Sequence, residues 1–308
     1  MLSGFILGVC KPEAWTSHDA VQRLRVVLGV REVGHAGSLD PYATGVLLCG
    51  VGRGTKVLSY LMDLRKDYVG RMRLGRITDT GDATGRVLEE RPVPAVPLEE
   101  ARSIASRFVG RLEQIPPMVS ACKHQGKRLY ELARAGIEVE RKPRTVEVHT
   151  FEISEIRGDQ VDFRVICGKG TYVRTLAQDF GEILGPGACI EGLRRRAVGP
   201  FSEEEAVTIL GEPENVFQAC QRAAVPLASA LSHLRALELR PDFVRRVRRG
   251  ERPPWRAVCG VEECPEGKHF RLLGPEGELV ALASLDPIPG PIDRPWRDSW
   301  ELKLDRVI

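Results

Sequence analysis

The stretch from Gly34 to Gly45, GHAGSLDPYATG, contains the acidic side chain best suited to chemistry. Asp40 precedes Pro41, which biases the aspartate toward extended backbone and away from helix. Gly34 and Gly37 allow backbone angles that other residues avoid. The pattern predicts one carboxylate presented on a stiff loop at the mouth of a buried strand. An Asp-Pro pair also opens ordinary turns, so spacing alone favours a structural turn over a site.

A second candidate site is the segment Gly168 to Arg174, GKGTYVR. A strand, a glycine turn and a helix N-terminus together favour anions, because free N–H groups and the helix dipole point outward there. Arg174 lies in the first helical turn, where its planar guanidinium could hold a carboxylate at two points. The segment has neither a P-loop nor a dinucleotide-binding glycine pattern, so it does not predict a nucleotide cofactor. A strand-to-helix turn with a surface arginine is an equally good interpretation.

The elements that must position these residues are visible in the hydrophobic pattern. Ala43–Val51 is nearly all apolar and predicts a strand buried on both faces. Tyr68–Leu74 alternates and predicts a half-buried strand, in which Tyr68 is more often a core residue than a catalytic one. Val161–Cys167 alternates in the same way, and a helix from about 171 to 184 follows it.

Two further helices frame these strands. One follows the capping residues Thr16-Ser17 and stops at Gly29, and another runs from Leu98 to about Val109. From about residue 235 helix signals vanish, prolines multiply and short strand-like runs predict a small all-β module of about 70 residues. The runs 194–196 and 245–249 are rich in arginine and are expected to be solvated faces.

Length and composition limit the class of protein. The chain has 308 residues, which predicts two domains. Its 43% hydrophobic content supports a sizeable core, and no window reaches the length of apolar residues that a membrane span needs. The apolar opening lacks a basic leader, so no secretion signal is expected. The net charge of +3 neither requires nor excludes an anionic partner. Recurring basic clusters at 123–128, 141–144, 194–196 and 245–249 favour a polyanionic partner.

The eight cysteines are scattered, as expected of small buried residues in a reducing cytoplasm. Only Cys259 and Cys264 lie close together, and the one nearby candidate for a further ligand is His269. A structural zinc site needs four ligands, so no metal site is expected.

Ordered blocks along the chain carry a resemblance to a known family. The longest block, Gly34 to Leu47, resembles the signature of the TruB family of tRNA pseudouridine-55 synthases. Shorter blocks agree in order: Lys11-Pro12, Thr16-Ser17, Thr55-Lys56, Lys66-Asp67-Tyr68, Thr78 to Gly85, Gln125 to Glu131, Gly170 to Thr175 and Leu193-Arg194-Arg195. The match covers residues 4–210, roughly, and its departures, such as Tyr42 where leucine is common, spare the candidate catalytic residues.

The resemblance implies a role for each matching residue. Asp40 matches the essential aspartate that attacks the target nucleotide, and Arg174 matches the arginine paired with it. Tyr68 matches the tyrosine that stacks on the flipped uracil, and His35 the histidine that fills the space left by the extruded base. The expected catalytic residues are thus Asp40, Arg174 and Tyr68, and the expected substrate-binding residues are His35, Tyr172, Leu193, Lys11, Lys56, Lys127 and Arg128.

The resemblance also implies an architecture. The expected fold is α/β of the α+β type, with a mixed central sheet and flanking helices forming the catalytic domain over residues 1–234. A tRNA-gripping insertion is expected at about 120–145, and a small β-barrel-like PUA module that binds RNA over residues 235–308.

The chemistry implied by the resemblance suits these residue types. Conversion of uridine to its C-linked isomer breaks one glycosidic bond and forms another without oxidation, so neither metal nor cofactor is expected. The target in the T-loop of tRNA must be flipped out at a cost of about a few kcal/mol, and stacking on Tyr68 can recover about 1–3 kcal/mol. Arg174 is expected to keep Asp40 ionised. We expect a cytoplasmic monomer with tRNA as its partner and no membrane contact.

Three other functions remain open at this point. The first is a guide-RNA-dependent synthase of the dyskerin type, against which the basic insertion at 125–139 argues. The second is an RNA chaperone without catalysis, against which the intact set of Asp40, Tyr68 and Arg174 argues. The third is a metal-binding regulator built on Cys259 and Cys264.

Overall fold

The computed structural model describes residues 4–120, 123–124, 126–129, 132, 136–137, 139–261, 263–288 and 295–308. In chain order the strands are β1 (Gly4–Lys11), β2 (Val33–His35), β3 (Thr44–Gly52), β4 (Lys66–Leu74), β5 (Arg76–Thr78), β6 (Val87–Glu90), β7 (Gly110–Gln114), β8 (Lys123–His124), β9 (Lys127–Arg128), β10 (Arg144–Arg157), β11 (Gln160–Cys167), β12 (Ala188–Val198), β13 (Phe201–Ser202), β14 (Val207–Thr208), β15 (Val225–Pro226), β16 (Arg235–Glu238), β17 (His269–Leu273), β18 (Leu279–Pro287) and β19 (Trp300–Val307).

The helices of the described residues lie between these strands. They are α1 (Ser17–Leu28), α2 (Leu58–Leu61), α3 (Leu98–Ser106), α4 (Val173–Leu184), α5 (Pro213–Arg222), α6 (Leu227–Ala230), α7 (Pro241–Arg248) and α8 (Trp296–Ser299), with 3-10 turns at Arg53–Val57 and Trp255–Ala257.

A large mixed sheet forms the centre of the molecule, as the resemblance implies. Its principal strand order is β14-β1-β3-β12-β4-β11-β10-β7. Strand β12 runs parallel to β3 and antiparallel to β4. Three segments therefore meet near the centre of the sheet: the loop before β3, the start of β4, which carries Tyr68, and the middle of β12.

Helices α3 and α4 cover one face of this sheet. The buried side chains of β4 and β11, among them Met72 and Phe163, pack against Ile104 of α3 and Phe180 of α4. Helix α4 begins after Tyr172 and ends at Gly185, close to the predicted bounds. This packing fixes the direction of the first turn of α4, which carries Arg174.

Helix α1 has the predicted termini. Thr16 accepts a hydrogen bond from the Asp19 N–H, and the Asp19 carboxylate accepts one from the Thr16 N–H, which satisfies two donors at once. Gly29 ends the helix with φ at 64°, a left-handed conformation that glycine adopts without steric cost. Helix α3 ends at Ser106, earlier than the predicted Val109.

The C-terminal region forms a separate sheet with the order β16-β17-β18-β19, which begins at Arg235. The expectation that helices are absent here is wrong, because α7 lies within this region. Pro241 begins α7, and Phe243, Val244 and Val247 bury one of its faces. The arginine run at 245–249 therefore belongs to an amphipathic helix rather than to a loop. The closed barrel expected for this module stays a prediction.

Candidate active site

Asp40 and Arg174 form a two-point ion pair. Arg174 Nε lies 3.0 Å from Asp40 Oδ2, and Arg174 Nη2 donates to Asp40 Oδ1 at 3.1 Å. The Arg174 side chain is 3% exposed and that of Asp40 is 38% exposed. The guanidinium is thus embedded in the protein while the carboxylate reaches solvent, as a group that must meet a substrate requires.

Three further acceptors fix the guanidinium of Arg174. Its Nη1 donates to the carbonyl of Thr80 at 2.9 Å, and its Nη2 to the carbonyl of Val119 at 2.8 Å. A second carboxylate, that of Asp82, lies 3.5 Å from Nη1 and is 5% exposed. Arg174 therefore has little freedom to turn away from Asp40, and its charge is shared between two carboxylates.

The turn from Thr78 to Gly85 presents Asp82. The Asp82 carboxylate accepts hydrogen bonds from the backbone N–H and the hydroxyl of Thr84, at 3.1 and 2.5 Å. Reasoning from sequence includes this segment among the matching blocks and misses Asp82 as a site residue. The available signal was a short, polar, glycine-rich turn that also belongs to the matching blocks.

The pKa of Asp40 is raised above its ordinary value of 3.8, because the surrounding protein removes part of the water that would stabilise the charged carboxylate. Arg174 opposes this shift and Asp82 adds to it. The sequence-based expectation thus has the right direction for Arg174, but burial is the larger effect. The raised pKa makes the lone pairs of Asp40 more basic than those of an exposed carboxylate.

A recess of about 410 Å³ opens beside this ion pair. Its lining includes six residues that the sequence predicts for the site: Asp40, Arg174, Tyr68, His35, Tyr172 and Leu193. They come from the loop before β3, from β2, from β4, from β12 and from the start of α4. The fold therefore brings together residues that lie as far apart in the sequence as His35 and Leu193.

Tyr68 and Leu193 stand on neighbouring strands. In the register of β4 and β12, Leu193 lies opposite Gly70 and Arg195 lies opposite Tyr68. Tyr68 and Leu193 are 8% and 9% exposed, so each offers only part of its surface to the recess. An aromatic ring and an aliphatic side chain held this way form adjacent apolar surfaces against which a planar ring can stack.

Tyr172 is held through its backbone. Its N–H donates to Oε1 of Gln114 at 3.0 Å, and Nε2 of Gln114 donates back to the Tyr172 carbonyl at 3.3 Å. Gln114 is buried at the end of β7. The paired hydrogen bonds tie the N-terminal end of α4 to the edge of the sheet.

Lys11 does not face the recess, in contrast to the sequence-based expectation that it binds substrate. Its ammonium is buried and donates to the carbonyls of Pro12, Trp15 and Pro41, the last at 3.1 Å. Burial lowers the pKa of Lys11 to about 8. Lys11 therefore stabilises the loop of Asp40 through its hydrogen bond to the Pro41 carbonyl.

The other predicted basic contacts lie elsewhere. The ammonium of Lys56 donates to the carbonyl of Val307 in the C-terminal strand, at 2.9 Å. Lys127 and Arg128 form β9, whose partner is β8, and their side chains lie outside the described part of the structure. Their expected contact with tRNA stays a prediction.

Arg195 is a second functional candidate that sequence reasoning missed. Although it belongs to an arginine run expected to be solvated, it is 1% exposed. Its guanidinium donates to the carbonyls of Val46, Ser38 and Gly37 and lies 3.4 Å from the Tyr68 hydroxyl. The signal was alternation along β12, which buries Leu193 and Arg195 and exposes Arg194 between them.

The described residues contain no group of three or more histidine, cysteine, aspartate or glutamate side chains that could hold a metal ion. Cys259 is exposed and Cys264 partly buried, both as free thiols. Within the described ranges, no helix is long and apolar enough to cross a membrane.

Comparison with known proteins gives consistent similarities along the chain. The family model "TruB family pseudouridylate synthase (N terminal domain)" matches residues 25–173. The model "tRNA pseudouridylate synthase B C-terminal domain" matches residues 174–218. The two matches meet within the segment that carries Arg174.

Curated relatives match nearly the whole chain. A tRNA pseudouridine synthase B from Moorella thermoacetica is 40% identical over 295 residues, which covers 93% of this chain and 95% of the relative. One from Geobacter sulfurreducens is 42% identical over 293 residues, covering 92% and 93%. A solved structure, the archaeal box H/ACA sRNP Nop10–Cbf5 complex, is similar with a TM-score of 0.72 and 25% identity, covering 99% of this chain and 86% of that chain.

Proposed function

Because the chain belongs to the TruB family of pseudouridylate synthases, we infer that it isomerises uridine in tRNA, and we propose that its target lies in the T-loop. The reaction breaks the bond between N1 of uracil and C1′ of ribose and forms a bond between C5 and C1′. The hydrogen leaves C5 and N1 gains one, so the product is an isomer of the substrate. No electron acceptor or donor enters this balance.

Asp40 supplies the nucleophile of this reaction in our proposal. A carboxylate can form a covalent intermediate and leave again, which divides one difficult step into two easier ones. It must be ionised to do so. Arg174 stabilises the ionised form and holds both carboxylate oxygens, so that the group keeps one orientation toward the recess.

The recess suits a base that has left its stack. Tyr68 and Leu193 offer apolar surfaces, and stacking on an aromatic ring contributes about 1–3 kcal/mol per base. This stacking offsets a large part of the cost of flipping, which is about a few kcal/mol. His35 lines the same recess, and in this proposal it occupies the space that the base leaves in the RNA.

We further propose that the C-terminal sheet with α7 is a PUA-like module that binds RNA and that the segment at about 120–145 grips the T-arm. Arg246 and Arg248 pair with Glu251 and Glu278, and Arg245 and Arg249 add positive charge at the end of α7 that suits phosphate contacts. A monomer in the cytoplasm completes the proposal, in keeping with the scattered free cysteines.

The observation that carries the proposal is the ion pair of Asp40 and Arg174 at the edge of a recess that also holds Tyr68. The guide-dependent alternative has less support, because identity to the tRNA pseudouridine synthase B relatives is about 40%, against 25% for the matching chain of the archaeal sRNP complex. A bare T-arm hairpin separates the two, since a guide-dependent enzyme leaves it unmodified.

Replacement of Asp40 by asparagine tests the proposal. Asp40→Asn keeps the shape of the side chain and removes the nucleophilic charge, so we expect product formation to fall by at least about 10³-fold while tRNA binding changes little. Mass-based mapping of pseudouridine in the T-arm hairpin measures product, and filter binding measures affinity.

Glu100→Gln serves as the control, because it removes one exposed carboxylate from α3, which neither lines the recess nor belongs to a segment proposed to bind RNA. It should isomerise the hairpin at the rate of the unmodified protein. Normal product formation by Asp40→Asn would overturn the assignment of Asp40. Equal rescue of tRNA folding by Asp40→Asn and the unmodified protein would show a chaperone activity separate from catalysis.

A further inference from the structure

A second recess, of about 390 Å³, adjoins the active-site recess. The two share Gly168 and Lys169, which belong to the turn between β11 and α4. We call it the basic recess, after the four basic side chains in its lining: Arg65, Arg111, His149 and Lys169.

Rigid backbone holds these side chains in place. Arg111 lies on β7 directly opposite Glu147 of β10, at the edge of the central sheet. The Gly168 N–H donates to the Glu147 carbonyl at 2.8 Å, which fixes the shared turn to that strand. The Arg65 carbonyl accepts a hydrogen bond from the Gly199 N–H at 2.8 Å, which ties the segment before β4 to the end of β12.

The charges in the basic recess are only partly neutralised. Lys169 pairs with Asp63 at 2.5 Å, and His149 Nδ1 lies 4.0 Å from a carboxylate oxygen of Glu147. Arg65 and Arg111 are exposed, and neither has an ion pair or side-chain hydrogen bond within the described ranges. The lining thus contains three cationic side chains, those of Arg65, Arg111 and Lys169, and two carboxylates, those of Asp63 and Glu147.

The larger cleft on the open face of the sheet shows the opposite pattern. It measures about 1090 Å³ and is also lined by arginines. There Arg71 pairs with Asp162 at 2.7 Å, and Arg164 with Asp67 at 2.9 Å. Its guanidinium groups are already satisfied by carboxylates, so an anionic ligand would have to displace them. The basic recess has two guanidinium groups that need no such displacement.

We propose that the basic recess binds a backbone phosphate of the RNA, next to the nucleotide that enters the active-site recess. The inference rests on the proposed function, which places a polynucleotide at the shared wall formed by Gly168 and Lys169. Guanidinium groups bind phosphate oxygens through two parallel N–H donors, and a phosphodiester is the anion nearest to any flipped nucleotide. Arg65 and Arg111 are the contacts, and Lys169 contributes charge from the wall.

Removal of both arginine charges tests the site. The double variant Arg65→Gln, Arg111→Gln should bind a T-arm hairpin about tenfold more weakly at about 0.1 M salt, because charge-assisted hydrogen bonds are lost. The slope of log affinity against log salt concentration should become shallower by about one for each phosphate contact removed. The control is Arg31→Gln, Arg107→Gln, which removes two exposed arginines that line neither recess, and it should keep the original slope.

A neutral linkage in the RNA identifies the phosphate. Hairpins carrying a single 2′-deoxy methylphosphonate on either side of the target uridine are compared with 2′-deoxy phosphodiester hairpins. The unmodified protein should lose about tenfold in affinity at one of these linkages. The double variant should show no additional loss there, because the protein charge and the phosphate charge act as one contact.

The binding experiments test the phosphate site separately from the proposed function. If the losses from the double variant and from the methylphosphonate simply multiply at every linkage, the recess does not hold that phosphate and the inference is wrong. Formation of pseudouridine in the unmodified hairpin by the unmodified protein checks the proposed function independently. Its absence would overturn the proposed function whatever the binding data show.

Discussion

The buried guanidinium of Arg195 connects the loop of Asp40 to the ring of Tyr68. It is 1% exposed and donates to the carbonyls of Gly37 and Ser38, while the Tyr68 hydroxyl lies 3.4 Å from one of its nitrogens. The central carbon of the guanidinium, Cζ, lies 5.9 Å from the centre of the Tyr68 ring. One side chain therefore connects the loop of Asp40, the proposed nucleophile, to the ring of Tyr68, the proposed stacking surface, without facing solvent itself.

Arg195→Met should uncouple these two parts of the site. The change leaves several carbonyls without a donor, at a cost of about 1–3 kcal/mol for each buried group, so the thermal midpoint should fall. At a temperature where the variant is folded, kcat should fall about tenfold or more with little change in KM, because the loop and the ring lose their relative position.

A double-mutant cycle separates this positioning role from simple destabilisation. If Arg195 acts through Tyr68, Tyr68→Phe should lower kcat in the unmodified background and have a much smaller effect beside Arg195→Met. Arg195→Lys should recover part of kcat, since an ammonium can reach some of the same carbonyls. Additive effects on kcat would show that the residue only supports the core.

The candidate site could be predicted from sequence only where residue type and local motif coincide. Asp40 and Arg174 each stand in a glycine-containing loop whose backbone pattern is visible in the sequence. Arg195 and Asp82 could not be singled out in this way. An arginine within a run of three resembles a solvated face, and burial of its charge depends on carbonyls from a loop more than 150 residues away, such as that of Gly37.

At the scale of elements, β3 and β12 pack so closely where they run parallel that there is almost no space for a side chain between their backbones. Gly45 pairs with Arg195 and has φ at 99°, a conformation that residues with a Cβ rarely adopt. A Cβ at this position would lie 2.2 Å from the carbonyl oxygen of Arg195. The two strands can approach only because this residue is glycine, and that approach brings Arg195 and Leu193 to the active-site recess.

Gly45→Ala should therefore separate the strands. We expect a loss of about 1–2 kcal/mol from backbone strain and about 1–3 kcal/mol more from overpacking, together with a fall in kcat. Gly158→Ala is the matched control, because Gly158 has φ at 62° but no atom within 4 Å of a Cβ. Thermal unfolding of the two variants is monitored by circular dichroism. An equal fall in the melting temperatures of Gly45→Ala and Gly158→Ala would contradict the steric account.

Elements could be predicted where local signals agree, and α1 shows this clearly. Its capping residues, apolar face and terminal glycine all lie within one short segment. Helix α7 was missed because prolines dominate the region around it and its arginines suggest a solvated run. In fact Pro241 stands at the start of the helix, where proline is favoured, and the spacing of Phe243, Val244 and Val247 is helical.

At the scale of the whole molecule, the two sheets share a hydrophobic core. Leu279 and Leu282 of β18 and Ile308 belong to one cluster with Ile6 and Leu48 of the central sheet. Tyr60 packs edge-on against His269, with ring centres 5.0 Å apart. The sequence shows a change of character near residue 235, but it contains no local signal for contacts between segments more than 200 residues apart.

This shared core predicts that the two sheets unfold together. Leu282 has no exposed surface, and Leu282→Ala should cost about 2–5 kcal/mol through lost burial and the cavity that remains. Because the cavity lies between the sheets, amide hydrogen exchange should accelerate in β1 and β3 as well as in β18, and calorimetry should show one transition at a lower temperature.

Val280→Ala provides the comparison on the same strand, because Val280 is equally buried but belongs to the C-terminal module's own cluster. Its effect on hydrogen exchange should concentrate in β17, β18 and α7 and reach β1 and β3 only through global unfolding. If Leu282→Ala instead gave two calorimetric transitions, with the central sheet unfolding at its original temperature, the sheets would be energetically independent. The C-terminal module would then be a tethered unit, and its proposed RNA contacts could not help to orient tRNA over the recess that contains Asp40.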